Sequence, residues 1–274
     1  ALVLALIPAL RQHWAAADPM PTAAERDVLV ARHLWNQLSM PELRKAETWF
    51  RKAVREDPKS ALAHAGLADA LYYEGELDGG NPQARFQQAR VEAHRAIELN
   101  NRLALGHAVL GSVLFASDLK WPYAEAEFQL ALKLDTKCVR AMQGYACMLT
   151  RLGRLEEAGF LVKRARLLDP ASPILGLLEA RIPFYARHYE LARDQLRGVL
   201  DRDPSFSLAH YHLALCYRML GQRAEAEAEM RKTRLSERGL NLELAWIQGV
   251  SPKEWPALLA RERKSPNLVF VAAE

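Results

Sequence analysis

The 274-residue sequence predicts an all-α solenoid of stacked helix-turn-helix pairs, and three observations carry that reading. The first is a period. Asp or Asn, followed by Pro or a substitute, returns at Asp57-Pro58, Asn100-Asn101, Asp135-Thr136, Asp169-Pro170 and Asp203-Pro204, in steps of 43, 35, 34 and 34 residues. Repetition at such a spacing is the mark of an array of supersecondary units. The second is a set of columns locked to that period. Ala46, Ala89, Ala124, Ala158 and Ala192 stand twelve residues before the second member of each pair, and a further step of 34 predicts Ala226, which is present. The third is punctuation. Gly153 and Gly221 fall between two apolar-periodic stretches, where glycine supplies the positive φ of a helix C-terminus, and Pro after Asp cannot continue a helix.

Within a unit the second helix is the more explicit. Four residues after each column alanine comes Phe50, Ala93, Phe128, Val162, Leu196 or Met230, and three later Ala53, Ala96, Ala131, Ala165, Val199 or Thr233. Spacings of four and three put the three columns on one helical face. The first helix carries apolar positions at Leu67, Leu71, Leu110, Leu114, Tyr145, Leu149, Leu213 and Tyr217, with small residues at Ala68, Gly111, Ala146, Ala180 and Ala214 that let paired helices approach closely. Pro183 lies where other first helices have Leu71, Leu114, Leu149 and Tyr217, and a proline there predicts a kink between the fourth and fifth units.

A 34-residue helix-turn-helix with Ala at column 20, an apolar residue at 24, Ala at 27 and Pro at 32 resembles the tetratricopeptide repeat. The resemblance implies a right-handed superhelix of about six units, at 27–60, 61–103, 104–138, 139–172, 173–206 and 207–240, with 241–274 as a degenerate cap. The second unit has nine extra residues, best placed in a turn from Glu74 to Pro82. More narrowly, Arg32 to Gln37, Lys45 to Ala53, Asp57-Pro58 and Ala61 to Ala70 look like the repeat region of bacterial membrane-linked regulators of the CadC or ToxR sort, or of cyclases or kinases. Ser265 to Val271 is similar to the tail closing such arrays. No winged-helix, cyclase or kinase motif lies in these residues.

Residues 1–26 read as a membrane-helix stub or an N-terminal packing helix plus linker. Ten apolar residues are followed by Arg11 and Trp14 and then by a Pro-rich run, a pattern that fits the end of a membrane helix. A cleaved signal is a third reading. The expected location is membrane-tethered with the repeats in the periplasm, the alternative being cytoplasmic.

Chemistry finds no foothold in the sequence. There is no Gly-rich phosphate loop, no Cys-x-x-Cys and no His-Glu-x-x-His. Cys138, Cys147 and Cys216 are odd in number and lack metal spacing. His64, His107 and His210 recur at column four, but stacking separates equivalent positions too far to share a metal at ~2 Å. Glu225, Glu227 and Glu229 read as a solvated outer face. The expectation is a non-enzymatic chain with no cofactor and no metal. A balance of 37 Lys and Arg against 33 Asp and Glu, net +4, is too even to imply nucleic-acid binding by itself.

A solenoid offers instead a concave surface lined by first helices, and the resemblance implies that columns 2, 5, 9, 12 and 13 face it. The candidate groove residues are Trp35, Asp69, Tyr72, Tyr73, Phe115, Arg140, Gln143, Thr150, Arg151, Arg181, Phe184, Tyr185, Tyr211, Arg218 and Met219. Aromatics with arginine are the types that dominate binding hot spots, and arginines outnumbering Asp69 bias the groove toward an acidic partner with apolar anchors. Ala31 and Trp35 stand where the carboxylate-clamp version of the repeat has Lys and Asn. The function expected is a protein- or peptide-binding module, the sensor or regulatory part of a membrane-linked bacterial regulator. The alternatives are an assembly scaffold of an envelope or secretion complex, or a repeat extension of an enzyme.

Overall fold

The six column alanines, Ala46, Ala89, Ala124, Ala158, Ala192 and Ala226, are all fully buried, so the period read in the sequence is the period of the packing. The computed structural model describes residues 22–35, 40–77, 82–118, 120–233 and, in the C-terminal segment, 244, 247–249, 253 and 254. These form helices throughout, with no strand among the described residues.

The helices pair as α1 (Ala23–Trp35) with α2 (Met40–Glu56), α3 (Ala61–Leu77) with α4 (Pro82–Leu99), α5 (Ala104–Asp118) with α6 (Trp121–Leu134), α7 (Val139–Arg151) with α8 (Leu155–Leu168), α9 (Pro173–Tyr185) with α10 (Tyr189–Leu200), and α11 (Ser207–Met219) with α12 (Arg223–Met230). At its start α1 carries a capping box: Glu25 N–H donates to Thr22 Oγ1 at 3.2 Å, and Thr22 N–H to Glu25 Oε2 at 2.7 Å.

Between units the Asp/Asn column does the turning. Asp57, Asn100, Asp135 and Asp203 each accept, through Oδ1, the N–H two residues on, at 2.8 to 3.0 Å. This Asx turn needs no proline, which is why Asn100-Asn101 and Asp135-Thr136 serve as well as Asp-Pro. Within units the turn is a Schellman motif. Arg154 N–H reaches Leu149 O and Gln222 N–H reaches Tyr217 O, both at 2.9 Å, with Gly153 at φ 75° and Gly221 at φ 78°. The fifth unit makes the same turn with His188 N–H on Pro183 O at 2.8 Å, but Arg187 occupies the left-handed position at φ 64°.

Successive units interlock through the column of larger apolar residues. A Cβ added to Gly66 would lie 2.2 Å from the ring of Phe50, and one added to Gly144 would lie 2.5 Å from the ring of Phe128. Phe50 and Phe128, at the same column of their second helices, therefore each seat against a glycine of the next first helix. Successive first helices pack on one another more closely than successive second helices do, so the first helices form the inner face. The last pair is covered in part by Leu244 and Ile247, buried on Ala214, Ala226 and Met230.

One expectation changes. Glu74 to Leu77 belong to α3 rather than to a turn, because part of the insertion lengthens that helix. Pro183 falls within α9, two residues before its end at Tyr185. The apolar run at 1–21 and most of 241–274 lie outside the described residues. Among the described residues no helix is long and apolar enough to cross a membrane.

Candidate functional site

The inner face divides into a filled half and an open half. In the filled half Asp69 on α3 meets Arg140 on α7, with Nε to Oδ1 at 2.8 Å, and both side chains are buried. The guanidinium also lies 5.4 Å and 5.2 Å from the ring centroids of Tyr72 and Tyr73. Tyr73 in turn packs edge-on against Trp35 at 5.4 Å. Burial pushes the Asp69 carboxyl up against the opposing pull of Arg140, and pushes the Tyr73 phenol up to about 12. Phe115, Gln143 and Thr150 are buried too, Thr150 with its hydroxyl on Ala146 O at 2.7 Å. Of the sequence-derived candidates, then, Asp69, Tyr72, Tyr73, Phe115 and Arg140 contact one another or their neighbours as interior, with Trp35 half-buried beside them.

The open half runs along α7, α9 and α11. Arg151, Tyr185 and Met219 are exposed, and Phe184, Tyr211 and Arg218 are half-buried. Arg151 lies 5.3 Å from the ring centroid of Phe115, and Arg181 lies 5.8 Å from that of Tyr185. Arg181 is itself buried, and its Nη1 donates to Cys147 Sγ at 3.4 Å. Glu76, at the end of α3, lies within the electrostatic reach of Arg151. Curvature thus brings the second unit opposite the fourth.

Two residues of this region are not among the sequence-derived candidates. Cys147 sits at column 9 of the fourth unit, so the register alone would have found it. His212, at column six, has Nδ1 buried without a partner, and burial, then the charges of Arg181 and Arg151, hold its imidazole well below the usual histidine range. Column six belongs to glycine in the second and fourth units, and nothing in the pattern marks it as facing the groove.

The recurring histidines have a structural role that repeats in detail. His64, His107 and His210 place Nδ1 at 2.6, 2.7 and 2.6 Å from Glu92, Glu127 and Glu229. Their Nε2 atoms lie 3.2, 3.0 and 2.9 Å from the carbonyls of Pro58, Asn101 and Pro204. Each ring ties its first helix to both the second helix and the preceding turn. Glu229 is accordingly half-buried and bound to His210 and Lys232 rather than a freely solvated charge.

A family model for the tetratricopeptide repeat matches residues 177–237. The matched stretch, running from α9 through α12, is thus similar to the tetratricopeptide repeat. Among solved structures, human IFIT1, as a dimer with m7Gppp-AAAA, shares the repeat fold at TM-score 0.72 and 16% identity, over 98% of this chain and 64% of that one. The present chain therefore spans less than two thirds of the IFIT1 chain. A tetratricopeptide repeat protein from Parabacteroides merdae aligns at TM-score 0.55 and 15% identity, covering 89% and 91%. The Cut9-Hcn1 hetero-tetramer of APC/C aligns at 0.57 and 16%, covering 95% and 45%. At these identities the likeness is one of fold. No curated sequence matches significantly.

Proposed function

We propose that this chain is a non-enzymatic module that captures a protein or peptide segment in the open half of its inner face, along α7, α9 and α11. The observation that carries the reading is the contrast between the halves. Arg140 is buried against Asp69, whereas Arg151, Tyr185 and Met219 stand exposed on the same concave surface with Phe184, Tyr211 and Arg218 beside them. Aromatic, Met and Arg side chains set together on a concave, rigid surface are the composition that interfaces favour. A partner segment with an acidic group and apolar anchors fits that lining.

In the wider reading the module is the sensing part of a membrane-linked bacterial regulator, tethered through its N-terminal segment with the repeats in the periplasm. Support for this comes from the regulator-like stretches between Arg32 and Ala70 and from the apolar run at 1–10. A scaffold for an envelope complex is the alternative. The binding reading is tested by photo-cross-linking in native extract, with benzoylphenylalanine at position 185 or 219 and, as outer-face control, at position 160, where Phe160 is 66% exposed on α8. One partner joined from the two inner positions and not from the outer one is the expected result. Cross-links from position 160 alone would move binding to the convex side.

A further inference from the structure

We propose that Arg151, Arg181 and His212 form a seat for a single oxyanion, the carboxylate of an extended peptide lying in the open half of the groove. The inference rests on the peptide-binding reading and adds the group that the site recognises.

Arg181 is the centre of the argument. Its side chain is only 8% exposed, yet among the described residues it makes no ion pair. What it touches is the thiol of Cys147 and the side chain of Tyr185, ring and hydroxyl, while its Nε is buried without a partner. A guanidinium withdrawn from water normally recovers the lost hydration through a carboxylate and a full set of acceptors. Arg140 shows what such compensation looks like in this fold: the same kind of inner-face position, closed by Asp69 at 2.8 Å. Arg181 has the burial without the acid.

The neighbours sharpen the point. Arg151, one turn beyond Cys147 on α7, is exposed and likewise makes no ion pair among the described residues, its contact being the face of Phe115. His212, contributed by α11, lies within the fields of both guanidiniums and has its Nδ1 buried and unpartnered. Three helices thus bring within one another's fields two guanidiniums without an ion pair among the described residues and a ring nitrogen without a partner. An anion between them would accept charge-assisted hydrogen bonds from both arginines, the arrangement in which such bonds are strongest.

The charge distribution selects a carboxylate over a strand of nucleic acid. A single strand needs cations spaced along its backbone and a groove that tracks them. Here the positive charge is a point, with Asp69 consumed by Arg140 and Glu76 within electrostatic reach of Arg151. Such a point seats one negative group and gives a polyanion no track of cations to follow. Exposed Tyr185 and Met219 then supply apolar contacts for residues flanking the acid.

The test titrates the full chain with three short synthetic peptides of the same Leu, Phe and Ser composition, following the His212 imidazole resonances by NMR. One peptide has an internal Glu and both ends blocked, one has no Glu and a free C-terminus, and one is blocked and neutral. A 5′-phosphorylated oligoadenylate is the fourth ligand. The expected result is that at least one acidic peptide shifts His212 and binds roughly tenfold more tightly than the neutral one. That advantage should vanish in Arg181→Gln and in Arg151→Gln, the latter an exposed site safe for folding, and persist in Arg55→Gln on the outer surface. The first two peptides distinguish a side-chain carboxylate from a C-terminal one. If all three peptides bind equally and neither variant matters, the seat is wrong while the groove reading stands. If no peptide perturbs His212, or if the oligoadenylate binds there more tightly than the acidic peptides, the proposal is overturned.

Discussion

Arg140 of α7 donates to Asp69 of α3 across 71 residues of chain, reaching past the intervening first helix α5. The pair links the second unit to the fourth, so it fixes curvature where neighbouring-unit packing alone would leave it to accumulate. Breaking one side of it leaves the other charge buried. Asp69→Ala should therefore cost about 3 kcal/mol in urea unfolding, and Arg140→Met a similar amount. The double variant should lose far less than the sum. Additive losses would mean that the two side chains act independently.

A second prediction concerns the fifth unit. Arg187 holds φ 64° where Gly153 and Gly221 hold 75° and 78° in the sister turns. A side chain in that region costs on the order of 1 kcal/mol relative to glycine. Arg187→Gly should stabilise the chain by roughly 0.5–1 kcal/mol, and Gly153→Ala should destabilise it by about as much. An unchanged or lowered denaturation midpoint for Arg187→Gly would contradict the strain.

The α2–α3–α4 junction predicts a pH dependence. Glu74 is fully buried, with Arg85 Nη2 at 3.1 Å from Oε2, and Arg85 also reaches Glu47 at 3.3 Å. Burial, then the charge of Glu47, raises Glu74 to about 7 from an unfolded value of 4.5. The folded chain thus binds the proton more tightly than the unfolded chain does. Its contribution to stability is complete below about pH 4.5 and disappears as pH rises through about 7, a loss on the order of 3 kcal/mol. Glu74→Gln should remove that component, so the variant should gain on the parent steadily across this window. Parallel stability curves for the two proteins would refute the assignment.

Packing between units gives a fourth prediction. Gly144 faces the ring of Phe128 so closely that a methyl group would sit 2.5 Å from it. Gly144→Ala should cost ~1–3 kcal/mol through overpacking, and Phe128→Leu in the same chain should recover part of it. Thermal unfolding of the single and double variants measures both. A Gly144→Ala variant as stable as the parent would place the two helices further apart.

Much of the fold is legible in the sequence because it is local and repeated. Ala158 and Ala192 can be located by counting, and their burial follows from the helical spacing of their columns. The site is legible only to the level of a face. Columns 2, 9 and 12 point to Arg140, Asp69, Arg181 and Tyr72, but no column says which arginine meets an acid, since Asp69 and Arg140 find one another only through the accumulated turn of three units. His212 escapes such a reading because its spacing from His210 rules out chelation, and a lone histidine in the register of Gly66 and Gly144 carries no signal of its own. The extra residues of the second unit look like a loop because Gly75 sits among them, while the structure keeps Glu74 to Leu77 helical.

The measurement that bears most directly on a half-filled, half-open inner face is hydroxyl-radical footprinting read by mass spectrometry, on the free chain and on the chain with its cross-linked partner's segment. Tyr185, 42% exposed, and Met219, 46% exposed, should oxidise readily, while Tyr72, Tyr73 and Phe115 should be protected throughout. Adding the segment should protect Tyr185 and Met219 and leave Phe160 on the outer surface as reactive as before. Rapid oxidation of Tyr72 and Tyr73 in the free chain, or protection of Phe160 in place of Tyr185 and Met219, would contradict the account.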